Sequence, residues 1–250
     1  NPVTYEGFRA SLATQINDDW DALVSVASQD IESEVVFFVD PDLGSGYEIQ
    51  RYTDDTNNDS FDNMSLTLEG TVGDLEVIYA GAYTDRATDQ NIDYTDYLFV
   101  GQYVPFYICD GVTNYTSTAS AGTCQAPDMY VAHTGSTEVT THELRINTDI
   151  NDTTSITAGV FLSDLEMIEH NEFTYPGSAK LQAQYAPNFP HTNQQAGQGG
   201  NAGAGWYSQP GPYYAPIIFV NDILRTDEQK GVFGEANIAL SDTMELTLGA

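Results

Sequence analysis

The sequence predicts an all-β protein, an antiparallel transmembrane β-barrel segment of about eight strands with short periplasmic turns and long extracellular loops. First, apolar and polar residues alternate along paired segments, as they do when one face of a strand meets lipid and the other meets water. Second, a polar turn of two to five residues joins the two segments of each pair. Third, the pairs are separated by about 33, 56 and 67 residues (31–63, 85–140 and 164–230), whereas loops in compact domains seldom exceed about 15.

The first pair shows the pattern most clearly. Phe8, Leu12 and Ile16 fall on one side of an extended chain and Arg9 falls on the other, because successive strand side chains point in opposite directions. The polar stretch 17–19 forms the turn, and alternation resumes at Trp20. This segment therefore predicts a hairpin with one apolar face.

Three further pairs repeat this organisation. They cover 64–72 with 75–83 around the turn Gly73-Asp74, then 143–147 with 155–163, and finally 232–240 with 244–248. The segments are close to the roughly nine to eleven residues that a tilted strand needs to cross a bilayer. Tyr5, Trp20, Tyr79 and Tyr83 are interpreted as aromatic residues at the headgroup level.

A soluble β-sandwich is the main alternative, because its strands also alternate where one face meets a core. The long connections favour the membrane barrel instead, since such barrels combine brief periplasmic turns with extended extracellular loops. The chain contains no run of eighteen apolar residues that would make a membrane helix.

The chain is strongly acidic, with 37 Asp plus Glu against 7 Lys plus Arg and a formal net charge of -30. Nucleic acid is therefore an unfavourable partner, because its phosphates would be repelled. The acidic residues of the predicted loops are best explained as a solvated surface exposed to high salt or divalent cations.

One acidic stretch has the alternating oxygen ligands of a calcium loop. Asp55, Asn57, Asp59 and Asp62 present carboxylate and amide oxygens, which hard cations prefer, but the usual glycine and closing glutamate are missing. Calcium is the only cofactor that the sequence suggests.

The two cysteines, Cys109 and Cys124, both fall in the second predicted loop. A disulfide between them would close about fifteen residues, worth roughly 3 kcal/mol in the chain-entropy model, and would imply an oxidising compartment. Two free thiols or a metal pair are the alternatives.

The chain shows no catalytic motif, and we do not expect an enzyme. The four histidines, His133, His142, His170 and His191, are scattered. His142 is placed at the start of a strand and His170 in a loop. Glu172 lies two residues after His170, so this histidine could contact a metal chelate, although solvated loop histidines are the commoner case.

Aromatic clusters in the predicted loops are candidate ligand contacts, because flat rings give a large contact area at low entropic cost. The alternative is that they pack the loops against each other over the barrel mouth. The candidates are Tyr103, Phe106, Tyr107, Trp206, Tyr207, Tyr213 and Tyr214.

Several segments resemble barrel strands of TonB-dependent receptors. They read ELRINTDINDTTSITAGVFLSD, GVFGEANIALSDTMELTLGA and LEGTVGDLEVIYAGAYTDR followed by DYTDY. The resemblance lies in the paired-strand pattern across nearly the whole chain. It implies a bacterial outer-membrane transporter of about 22 strands with a plugged lumen, which takes up scarce ligands such as iron chelates, cobalamin or glycans.

The chain also departs from that family. No plug, TonB-engaging box or terminal aromatic strand has a counterpart here, and about eight strands replace about 22. We therefore expect residues 1–250 to be an interior fragment of the barrel, with outer-membrane lipid, a small nutrient ligand, and TonB acting through an absent plug as partners. The expected lumen-facing residues, which alternatively only pair with neighbouring strands, are Arg9, Glu69, Glu143, Arg145 and Glu235.

Three other functions stay open on the sequence. The first is a complete eight-stranded barrel with a structural or adhesive role, and the second is a soluble or surface-attached calcium-dependent adhesion or lectin-like β protein. The third is a fragment that self-assembles through its open strand edges.

Overall fold

The computed structural model describes residues 2–34, 43–44, 46, 48–95, 126, 128–176 and 216–250, with only the backbone of 218 and 219. These residues form eight strands. They are β1 (Val3–Asn17), β2 (Trp20–Ser33), β3 (Thr56–Val72), β4 (Leu75–Asp93), β5 (Tyr130–Asn151), β6 (Thr154–Thr174), β7 (Ile217–Ser241) and β8 (Met244–Gly249).

The eight strands make one sheet in chain order, and each strand is antiparallel to the next. The all-β antiparallel prediction is confirmed. Among the described residues β1 and β8 are the two edges of the sheet, so it does not close as an eight-stranded barrel, and no second sheet packs on it as a sandwich would require. No helix in the described part of the chain has the length and apolar character needed to span a membrane.

Short and long connections alternate, as predicted. The hairpin turns contain two residues each, 18–19, 73–74, 152–153 and 242–243. In three of them the residue before the turn accepts a hydrogen bond from the backbone N–H two positions on, namely Asn17 (2.9 Å), Asn151 (3.0 Å) and Ser241 (3.3 Å). Gly73 supplies a positive φ of 65° in the fourth, a conformation that glycine adopts at little cost.

The predicted loop boundaries were wrong, because the strands continue well beyond the alternating segments. β3 begins at Thr56 instead of near Met64, and β6 ends at Thr174 instead of near Leu162. In these extensions each face mixes polar with apolar residues, so the period-two pattern disappears while backbone pairing continues. The same reason places His142 inside β5 and His170 inside β6, and not at a strand start and in a loop.

The register gives the sheet two chemically distinct faces. Leu12, Val24 and Leu66 lie directly opposite one another in successive strands and share one side, and Ser11, Ser25 and Ser65 share the other. We call these the apolar face and the polar face. The buried apolar side chains of the described residues, Met129, Val131, Tyr175 and Val220, lie instead at the long-connection end of the sheet.

Candidate functional site: the two faces of the strand wall

The apolar face carries a continuous band of exposed hydrophobic side chains. It spans nine residues on β1 (8–16), on β4 (75–83) and on β7 (232–240). At about 3.3 Å per residue and a tilt near 40°, nine residues cross about 23 Å, close to the height of a lipid-facing band. The exposed members include Phe8, Leu12, Met64, Leu144, Val160, Val232, Leu246 and Leu248.

The upper edge of the band moves across the register, which indicates tilted strands. Following directly opposed residues from Phe8 on β1 leads to Thr226 on β7. The band on β7 begins lower, at Val232, where the exposed fraction reaches 82%. Strands that tilt relative to the barrel axis produce such an offset.

Aromatic side chains of the band cover glycines on the same face of the sheet, Trp20 on a neighbouring strand and Tyr79 on its own strand. The Trp20 ring lies over Gly70, where an added Cβ would stand 2.3 Å from the ring, and the Tyr79 hydroxyl lies over Gly81 at 2.5 Å from such a Cβ. The Tyr79 hydroxyl also bonds His142 Nδ1 at 2.7 Å. Tyr83 shares this face, because it lies opposite Met64.

Tyr5 departs from the predicted aromatic set. It lies opposite Ile31 and shares its side of the sheet with Arg9, so it belongs to the polar face. Phe8 and Leu12 occupy even positions of β1 and lie on the apolar face, so Tyr5, at an odd position, points to the opposite face.

All five predicted lumen residues lie on the polar face, although the lumen role itself stays a prediction. Glu143 forms an ion pair with Arg145, and the Arg145 guanidinium lies 5.9 Å from the centre of the Phe233 ring. The members of the set are Arg9, Glu69, Glu143, Arg145 and Glu235.

Polar bonds across strands cover much of this face. Asn147 donates to Glu76 at 2.8 Å and Asn63 donates to Thr84 at 2.7 Å. Nearer the long connections the face contains a hollow of about 210 Å³. Its lining residues include Arg86, Gln90, His133, Gly135, Met167 and Glu169. The polar face therefore offers charged and amide groups to water or to a solute.

Above the band, the apolar face becomes acidic. Asp62, Asp85, Glu138 and Glu166 lie directly opposite one another across β3, β4, β5 and β6. Like charges at directly opposed positions destabilise a sheet. Much of the acid that was predicted to lie in loops therefore lies on strands that extend beyond the band of exposed hydrophobic residues.

A buried carboxylate ties the β2–β3 connection to the end of β4. Asp93, 5% exposed, accepts backbone hydrogen bonds from Tyr52 (2.5 Å), Thr53 (2.8 Å) and Thr95 (2.8 Å). Burial alone would raise the pKa of Asp93, but the bonds from Thr95, Thr53 and Tyr52 outweigh it and hold the pKa below its usual value. Sequence reasoning missed Asp93, since two of its three partners, Tyr52 and Thr53, lie some 40 positions away.

The predicted calcium ligands do not form a loop. Asn57, Asp59 and Asp62 lie within β3, and Asp62 points to the opposite face from the other two. Asp55 pairs with Arg51 at 2.9 Å and accepts the Asp93 N–H at 2.6 Å. Within the described ranges no group of three His, Cys, Asp or Glu residues is arranged to hold a metal. Calcium binding stays a prediction.

Asp59 is instead engaged by a guanidinium group. Arg86 Nε donates to Asp59 Oδ1 at 2.9 Å, and a second nitrogen of Arg86 contacts the other carboxylate oxygen. Asn57 accepts a hydrogen bond from Gln90 at 2.6 Å. These bonds join β3 to β4 above the band.

His170 lies between two carboxylates above the band. Its Nδ1 is 2.5 Å from Asp222 Oδ1 on β7, and its Nε2 is 3.2 Å from Glu172 Oε1 on β6 itself. The sequence places Glu172 close to His170 but does not predict the contact with Asp222, which lies 52 positions away.

Two sets of predicted site residues lie outside the described ranges. These are the disulfide candidates Cys109 and Cys124, and the candidate ligand-contact aromatics Tyr103, Phe106, Tyr107, Trp206, Tyr207, Tyr213 and Tyr214. Both remain predictions.

No protein-family profile matches the chain, and no curated protein matches it in sequence. Among solved structures it is similar to the ferric-catecholate import receptor Fiu of E. coli K12, with 10% identity, a TM-score of 0.51, and coverage of 99% of this chain and 35% of that one. It also matches the ferric yersiniabactin uptake receptor FyuA of Yersinia pestis, with 9% identity, a TM-score of 0.43 and coverage of 99% and 37%. The chain thus spans about a third of each receptor. At this identity the similarity to Fiu establishes the fold alone, and the fold is that of the strand wall of an outer-membrane β-barrel.

Proposed function

We propose that this chain forms part of the wall of a bacterial outer-membrane, TonB-dependent receptor that takes up a scarce nutrient of the iron-chelate, cobalamin or glycan class. The band of exposed hydrophobic residues carries the proposal, since it has the height of a lipid-facing surface and lies on one face of a sheet with two-residue turns at one end. In this proposal the polar face lines the lumen, where a plug and TonB would act.

The length and position of the three long connections support capture of the ligand at the cell surface. The three long connections all leave the same end of the sheet, beyond the strand extensions. Loops carried by a rigid scaffold commonly bind ligands. The hollow on the polar face near Arg86 and Glu169 lies toward this end and provides groups that a polar solute could contact.

Fiu is named for ferric-catecholate import and FyuA for ferric yersiniabactin uptake. Fiu, the neighbour whose fold matches, makes an iron chelate the first ligand to test. The proposed role is transport, and no catalytic step is assigned to this chain.

Membrane insertion is tested by comparing adjacent residues on opposite faces. In a background with Cys109→Ser and Cys124→Ser, bimane is attached to Leu12→Cys on the apolar face or to Ser11→Cys on the polar face. In liposomes containing brominated lipid, we expect strong quenching of the label at position 12 and weak quenching at position 11. Equal quenching at both positions would refute the lipid-facing band.

Uptake is tested in cells that express the protein with and without a functional TonB system. Iron-55 ferric catecholate, cobalt-57 cobalamin and a radiolabelled oligosaccharide are supplied separately. We expect TonB-dependent accumulation of one label, and no accumulation of any label would contradict the transport role.

The calcium-dependent adhesion alternative predicts a different outcome. A soluble protein of that kind would stay monodisperse in plain buffer and would melt at a higher temperature in calcium than in EDTA. The exposed apolar band disfavours it, because monomeric soluble proteins rarely expose large contiguous apolar patches.

A further inference from the structure

The His170 cluster has a geometry that only a charged imidazole satisfies. Ionised carboxylates accept hydrogen bonds and cannot donate them, whereas a neutral imidazole has one N–H. Both ring nitrogens face carboxylate oxygens, Asp222 at 2.5 Å and Glu172 at 3.2 Å. Both contacts are hydrogen bonds only when the ring carries two protons.

The cluster lies at the base of the longest connection between described strands. β6 ends at Thr174 and β7 begins at Ile217, and residues 175–216 connect them. His170 lies on β6 a few residues before this connection, and Asp222 lies on β7 a few residues after it. Because His170 and Asp222 are directly opposed, the contact joins the two strands that carry this connection.

The other neighbours of His170 on this face carry no charge. They are Ala132, Thr134 and Ser136 on β5, Val220 and Leu224 on β7, and Ile168 on β6. The nearest further carboxylates are Asp89, beyond Thr134 on β4, and Glu166, below Ile168. Among the described neighbours no basic residue competes for Asp222 or Glu172, and His170 is the group there that can carry a positive charge.

We propose that protonated His170 is a staple across the base of the 175–216 connection and that losing its proton loosens this base. The regulatory consequence rests on the proposed function, in which this connection helps to capture the ligand. Capture would then be tightest at mildly acidic pH, below about 6.5, and weaker once the pH has risen through the titration of His170.

The direction of the pH effect follows from the local contacts. The hydrogen bond to Asp222 raises the pKa of His170 above its ordinary value, and the hydrogen bond to Glu172 adds to this effect. Desolvation of the ring lowers the pKa but does not outweigh the two carboxylates. A group with a raised folded-state pKa stabilises fully below its unfolded pKa, near 6.5. That stabilisation disappears as the pH rises through the folded-state pKa.

Hydrogen exchange of the bilayer-inserted chain between pH 6 and 9, corrected for intrinsic exchange, tests the staple. We expect protection of residues 168–174 and 217–224 to fall about two- to fivefold through the His170 titration, the size of an exposed ion pair. His170→Gln should abolish this dependence. His133→Gln is the matched control, since His133 bonds only neutral groups, Asn171 at 2.9 Å and Thr88 at 3.1 Å.

A second measurement tests the proposal without the His170→Gln variant, which is useful if that variant does not fold. The imidazole of His170 is titrated by NMR in the wild type and in Asp222→Asn. We expect a midpoint above about 6.5 in the wild type and a lower one in the variant. An unchanged midpoint, or wild-type protection that does not vary with pH, would overturn the proposal. Neither the hydrogen-exchange nor the NMR measurement needs a ligand. A negative result in the uptake experiment can therefore be told apart from a negative result for the His170 staple.

Discussion

Replacing Asp93 by Asn should release the β2–β3 connection from the sheet while the band of exposed hydrophobic residues stays folded. The carboxylate accepts three backbone N–H groups, from Tyr52, Thr53 and Thr95. The Asn amide offers one accepting oxygen, so at least one donor loses its acceptor and the remaining bonds are no longer charge-assisted. A lost bond to a charged group costs about 1.5–3 kcal/mol, and the two weakened bonds bring the total to about 2–4 kcal/mol.

Hydrogen exchange measures this release directly. A cost of about 3 kcal/mol corresponds to roughly a 100-fold loss of protection at the amides of residues 52, 53 and 95. Asp89→Asn is the control, because Asp89 lies on the same strand and the same face. Equal effects of the two substitutions would show that the buried carboxylate is not an anchor.

The same anchor should respond to acid. Because the folded-state pKa of Asp93 is lowered, its stabilisation is complete above the unfolded pKa, near 3.9, and is lost as the pH falls through the folded value. Protection at residues 52, 53 and 95 should therefore persist at pH 5 and decline below about pH 4. Protection that begins to decline near pH 6 would contradict this assignment.

Leu144→Arg on the apolar face should destabilise the bilayer-inserted protein by about 2–4 kcal/mol in urea titrations. The control Thr141→Arg on the polar face should cost far less. Similar costs for the two substitutions would argue against two distinct faces. Gly159→Val should cost about 1–3 kcal/mol by overpacking, because an added Cβ would stand 2.3 Å from the Phe233 ring. The control Gly231→Ala meets its nearest atom at 3.9 Å, and a loss of stability equal to that of Gly159→Val would refute the steric explanation.

The hairpins and the two faces were predictable because apolar and polar residues alternate along the strands, and successive strand side chains point to opposite faces. Parity alone placed Arg9 and Arg145 on the same face. It failed where both faces are polar, as along Thr134, Gly135 and Ser136 in β5, because backbone pairing there leaves no periodic pattern.

The contacts of Asp93 and His170 were not predictable for a different reason. Asp93 meets Tyr52 and Thr53 about 40 positions away, across the β3–β4 hairpin, and His170 meets Asp222 52 positions away, across the 175–216 connection. Only the register brings these residues together, and local composition carries no information about register once alternation ends.

The row of opposed carboxylates above the band links the fold to the ionic strength around it. Directly opposed side chains in a sheet stand about 5 Å apart, well within the Debye length of about 10 Å at 0.1 M salt but beyond the roughly 3 Å at 1 M. Repulsion among Asp62, Asp85, Glu138 and Glu166 therefore fades in brine and grows in fresh water. Dilution would destabilise the acidic upper part of the sheet first and leave the apolar band unaffected.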